Sequence, residues 1–133
     1  MPHPGAPFTR GRLTLAELAL FVERRAASEP DIVGTVGMLE VPGGSINVVP
    51  GRCRFSLDLR ATTDGARDAL AADVVAELES ICARRGASHR LEETLRVAAA
   101  PSAPEWQRRW EAAVLALGLP VHRMPSGAGH DAM

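Results

Sequence analysis

Three strings in this sequence of 133 residues carry residue types that a purely structural loop seldom needs. They are His3-Pro4-Gly5, Asn47-Val48-Val49-Pro50-Gly51 with Leu57-Asp58-Leu59-Arg60 downstream, and Ser126-Gly127-Ala128-Gly129-His130-Asp131. In the second, a Pro50-Gly51 turn fixes Asn47 at the end of one strand, and Arg60 falls on the polar face of the next. An arginine fork joined by an amide donor is a carboxylate clamp, and the pair is expected to converge on one small anion. The competing reading makes Asn47 a turn residue and pairs Arg60 with Asp58 or Asp64 at the surface. In the third string, Gly127 and Gly129 let the backbone come close to a ligand, and His130 can donate to a developing oxyanion. Turn composition accounts for those glycines equally well.

Other chemistries find less support. No GxGxxG follows a strand and no GxxxxGK[ST] occurs, so nucleotide binding is not indicated. The histidines at 3, 89, 122 and 130 include no pair at the i, i+4 spacing of a zinc helix, and a complete metal site within the chain is not expected. Ser126 near His130 lacks a nucleophile-elbow context, and His89 and His122 read as surface residues. Cys53 and Cys82 stand alone, without a CxxC spacing, and read as buried apolar fillers in a reducing cytoplasm.

The elements that must position these strings follow from periodicity. Leu15, Leu18, Ala19, Val22 and Ala26 give helical spacing over 14–28, with Thr14 and Glu17 at capping-box spacing. Residues 32–41 are β-branched and apolar, and the stretch 52–61 alternates Cys53, Phe55, Leu57 and Leu59 against Arg52, Arg54, Ser56, Asp58 and Arg60. Leu70, Val74, Leu78 and Ile81 predict a helix over 64–85 stopped by Gly86. A strand is expected over 88–98 through Leu91, Leu95 and Val97, and a third helix from a Ser102/Glu105 capping box to Gly118 and Pro120. The tail 121–133 is read as a short strand running into a glycine-rich loop. The order is that of a split β-α-β sheet lacking the strand before Thr14. The fold class is therefore α/β (α+β): an antiparallel sheet with two helices on one face, followed by an extra C-terminal helix and loop.

Composition limits partners and location. A hydrophobic share of 46%, a charged share of 23% and a net charge of -1, with scattered basic residues that are all arginine, describe a soluble domain without a nucleic-acid footprint. No apolar run approaches the roughly 20 residues of a membrane span, and the start has no signal-like apolar region, so a cytoplasmic protein is expected.

The stretch GTVGMLEVPGGSINVVPGRCRFSLDLRA, residues 34–61, resembles the lid domain of N-carbamoyl-L-amino-acid hydrolases, allantoate amidohydrolases and β-ureidopropionases, in the aminoacylase and carboxypeptidase G superfamily. MPSGAGHDAM, residues 124–133, is similar to a second signature of that group, and HPGAPFTR, from His3, is similar to a third. The resemblance implies a ferredoxin-like lid over 5–100 that also forms a homodimer, and a return into a metal-binding catalytic domain over 101–133. It implies that Asn47 and Arg60 hold the substrate carboxylate, that Gly129 contacts substrate, and that His130 and His3 stabilise the tetrahedral intermediate. The substrate would be a small carbamoyl or ureido acid. The family's two divalent ions, zinc or manganese, cobalt or nickel, would draw most of their ligands from outside this sequence. No metal ligand is assigned here. The chain is accordingly expected to be a fragment, inactive alone; a noncatalytic dimerising or acid-binding lid module, or a gene remnant, are the alternatives.

Overall fold

The computed structural model describes residues 10–47 and 50–128, with side chains from Thr14 onward. Five elements follow in chain order: α1 (Arg10–Ala27), β1 (Ile32–Glu40), β2 (Arg54–Ala61), α2 (Asp64–Arg85) and α3 (Pro104–Ala116). The molecule is α/β, with β1 and β2 paired antiparallel and α1 and α2 packed on one face of the pair. Leu18 and Val22 of α1 meet Leu70, Val74, Leu78, Ile81 and Cys82 of α2 and Ile32 of β1 in one buried cluster. Phe55, Leu57 and Leu59 close it from β2, because alternate residues of a strand point to one side. Arg54, Asp58 and Arg60 are left on the other, exposed side.

Two local features fix the sheet. Gly34 permits β1 to lie against α1, since a Cβ there would sit 2.7 Å from Val22 Cγ1. The pairing then slips by one residue: Val36 faces Leu57, but Leu39 faces Phe55. This is a β-bulge at Gly37-Met38, held by the Met38 amide donating to Ser56 Oγ at 2.9 Å.

Helix α2 has the boundaries its sequence predicts. Thr63 Oγ1 caps it by accepting from the Ala66 amide, and Gly86 closes it in the left-handed conformation at φ 56°. The other two helices correct the capping expectations. α1 begins at Arg10, so Thr14 lies inside it and is buried, and Glu17 bonds Arg84 and Arg85 of α2 instead of closing a box. α3 has Ala103 as its N-cap with no side-chain cap; Ser102 contributes its carbonyl, which accepts from the Gln107 amide side chain at 2.8 Å.

The expected strand over 88–98 does not form. Its alternation suits a strand, but a strand also needs a paired neighbour, and the sheet contains only β1 and β2 among the described residues. In a split β-α-β sheet that neighbour is the first strand, which would stand before α1. Side chains hold the segment instead. Arg67 Nη1 donates to the Val97 carbonyl, the Ala99 amide donates to Asp64 Oδ1 at 2.9 Å, and Arg96 bridges Glu93 and Asp68. Leu91, Leu95 and Val97 remain exposed. The tail likewise contains no strand through residue 128. Cys82 lies in the core as expected, whereas Cys53 is only half-buried.

Candidate functional site

Arg60 is placed by strand register. It lies opposite Val33 near the end of β2, on the face away from the helices, and Asp58 precedes it by the two residues that put both side chains on that face. The carboxylate takes the side of the guanidinium: Nε donates to Asp58 Oδ1 at 2.8 Å and Nη2 to Oδ2 at 2.6 Å. Nη1 donates to the Gly127 carbonyl at 2.5 Å. Arg60 thus joins β2 to the glycine-rich string near the C-terminus.

The electrostatics follow from this contact. Hydrogen bonds from Arg60, aided by its charge and opposed by partial desolvation, hold the Asp58 carboxyl below its usual range. The same bonds and charge raise the proton affinity of Arg60, which keeps the guanidinium ionised. Both side chains are about half exposed, at 52% and 50%, so solvent screens the attraction and the pair adds little to stability. An arginine has five N–H donors, and three are engaged here. One on Nη1 and one on Nη2 have no partner among the described residues. Two N–H donors are what a bidentate grip on a further carboxylate uses.

Asn47 lies elsewhere in the chain's own fold. It is exposed in the loop joining Glu40 of β1 to Arg54 of β2, and its Oδ1 accepts from Ser45 Oγ at 3.0 Å. Arg60 lies six residues along β2 from Arg54, roughly 20 Å at the usual strand rise. The expected convergence of Asn47 and Arg60 on one anion is therefore not formed within one copy: the hairpin connection is at the far end of the strand pair. No hydrogen bond joins the two among the described residues.

His3, Gly129 and His130 lie outside the described residues. Gly127 and Ala128, next to the last two, are described, with the Ala128 amide donating to Ser126 Oγ at 3.3 Å. His89 and His122 are exposed. Among the described residues no group of three or more His, Cys, Asp or Glu side chains is arranged to hold a metal ion. The donor set present does not fit a dinuclear centre, and no chemical step is derived through one. The surface reading of Arg60 is correct about Asp58, and the pairing leaves its outer N–H groups without a partner among the described residues. Sequence reasoning missed Gly127: a backbone carbonyl as partner leaves no mark in side-chain types.

No protein-family model matches the chain. Individual proteins do. N-carbamoyl-L-amino acid amidohydrolase of Geobacillus stearothermophilus is 34% identical over 116 residues, covering 87% of this chain and 28% of the relative. By sequence the chain is a relative of the carbamoyl-amino-acid and allantoate amidohydrolases. Allantoate amidohydrolase of Bacillus subtilis is 31% identical over 98 residues, covering 74% of this chain and 24% of that protein. A hydantoinase/carbamoylase family amidase from Burkholderia multivorans superposes with a TM-score of 0.90 at 29% identity, over 99% of this chain and 32% of its own. The chain thus spans less than a third of the length of each of these amidohydrolase relatives.

Proposed function

We propose that this chain is the substrate-gripping part of an amidohydrolase that cleaves the C–N bond of N-carbamoyl amino acids or of ureido acids such as allantoate. The observation that carries it is Arg60, whose guanidinium is fixed on the exposed sheet face against Gly127 with two N–H donors that have no partner among the described residues. Both substrate classes named for the relatives carry a carboxylate, and a fixed guanidinium fork is the group that selects one. In this reading residues 5–100 are the lid and 101–133 belong to a larger domain. The burial pattern supports that division: the core is built from α1, β1, β2 and α2, while α3 buries no residue and leaves Trp106 and Trp110 exposed. Gly129, His130 and His3 would contact substrate and the oxyanion that develops on the attacked carbon.

Asn47 would serve the Arg60 site of a second copy, since it does not reach that of its own. The surface for a homodimer is the outer edge of β1 with the groove between it and α1, lined by Ala19, Leu20, Ala26, Val33 and Thr35. Leu20 and Val33 are exposed there, beside backbone groups of β1 that have no strand neighbour among the described residues.

The test is binding and turnover of N-carbamoyl amino acids by the chain. Wild type is expected to bind and Arg60→Ala to lose at least about tenfold in affinity, with no hydrolysis by either. Unchanged binding in Arg60→Ala overturns the grip, and hydrolysis by the chain supplied with zinc overturns its inactivity. A noncatalytic acid-binding module is the second reading, favoured by the self-contained core of the first four elements. Joining the chain to the remainder of a relative separates the two, because only a part of an enzyme restores turnover.

A further inference from the structure

We infer that Asp58 is a positioning residue for the carboxylate-binding arginine: it locks the side edge of Arg60 so that one N–H of Nη1 and one of Nη2 are presented to an acid. The inference rests on the reading of Arg60 as the carboxylate grip and adds a role for a residue that the reading does not use. Three observations carry it. Asp58 accepts from Nε and Nη2 together, at 2.8 and 2.6 Å, which fixes the plane of the guanidinium and not only its distance. The Gly127 carbonyl accepts from Nη1, so the group is held from two directions by two different parts of the chain. Among the described residues the remaining donors are then two, on the two terminal nitrogens, so Asp58 does not need to leave when an acid binds.

The arrangement has an electrostatic consequence that separates it from simple attraction. A carboxylate beside Arg60 cancels much of the long-range pull on an anion, so removing Asp58 would raise affinity if charge alone decided binding. A long, exposed arginine released from both-sided restraint, however, regains rotamer freedom that binding must again remove. The inference is that the loss of order outweighs the gain in charge, because the solvent-screened attraction is weak at an exposed site.

The experiment compares binding of N-carbamoylglycine with that of its neutral carboxamide by the 133-residue chain. The preference for acid over amide is the readout, with each variant's thermal midpoint recorded. Wild type is expected to prefer the acid, Arg60→Ala to lose the preference, and Asp58→Ala to reduce it about tenfold with an unaltered midpoint. Asp58→Asn, which keeps one acceptor and the shape, is expected to recover part of it. A purely structural role would weaken both ligands together and leave the preference intact. No preference in wild type, or one that survives Arg60→Ala, overturns the grip and the inference with it. A preference lost in Arg60→Ala but unchanged or increased in Asp58→Ala overturns the role of Asp58 alone.

Discussion

At the scale of single residues, Gly34 shows how one absent side chain sets a strand's position. A Cβ there would enter the space of Val22 Cγ1, and Val22 is 1% exposed with a branched, stiff side chain. Gly34→Val is therefore expected to destabilise the fold by about 1–3 kcal/mol, the usual cost of overpacking, as read from urea unfolding. A neutral result would mean that β1 can slide along α1. Arg60 teaches the complementary lesson. Its alternation with Asp58 is legible from the sequence, but its second partner is a carbonyl 67 positions away, and no local pattern encodes that contact.

Among the elements, α1 and α2 are joined at their polar rim by Glu17, which accepts from both Arg84 and Arg85. The hydrogen bond from Arg85 is the main cause that holds the Glu17 carboxyl below its ordinary value; the charge of Arg85 and the contact with Arg84 add to it, against some desolvation. A carboxyl whose value is depressed in the folded state stabilises fully above its unfolded value, and that contribution disappears as pH falls through the folded one. Wild type is thus expected to exceed Glu17→Gln in thermal midpoint at neutral pH, and the gap should shrink steadily as the pH is lowered through and below the ordinary carboxylate range. A gap that persists in acid would show that packing, and not ionisation, distinguishes the two. The stretch 88–98 marks the opposite case. Its alternation is genuine, yet strand formation depends on a neighbour, and the backbone is tied to α2 by side chains instead.

For the whole molecule, the outer edge of β1 has no strand neighbour among the described residues and lies beside the apolar groove against α1. The proposed homodimer covers that edge and brings Asn47 to the partner's Arg60. Sedimentation at micromolar concentration should show a dimer for wild type and a monomer for Leu20→Glu, which sets a charge in the groove. A monomeric wild type would remove both the dimer and the shared site. Within the described residues no helix is long and apolar enough to cross a membrane.

The sequence by itself determined the span of helix α2 with its Gly86 stop, the β1–β2 pair and the separation of an apolar from a polar strand face. Each of these depends on neighbours a few residues apart, where periodicity and capping chemistry act. It also offered Asp58 as a surface partner of Arg60, and that pairing forms. Only the tertiary structure decided that Thr14 lies inside α1, that 88–98 forms no strand, that Asn47 and Arg60 lie at opposite ends of the hairpin, and that Gly127 receives the arginine. Those outcomes depend on which surfaces and backbone groups meet across long stretches of chain, and a contact between distant segments is an energy of the assembled fold that no single segment carries.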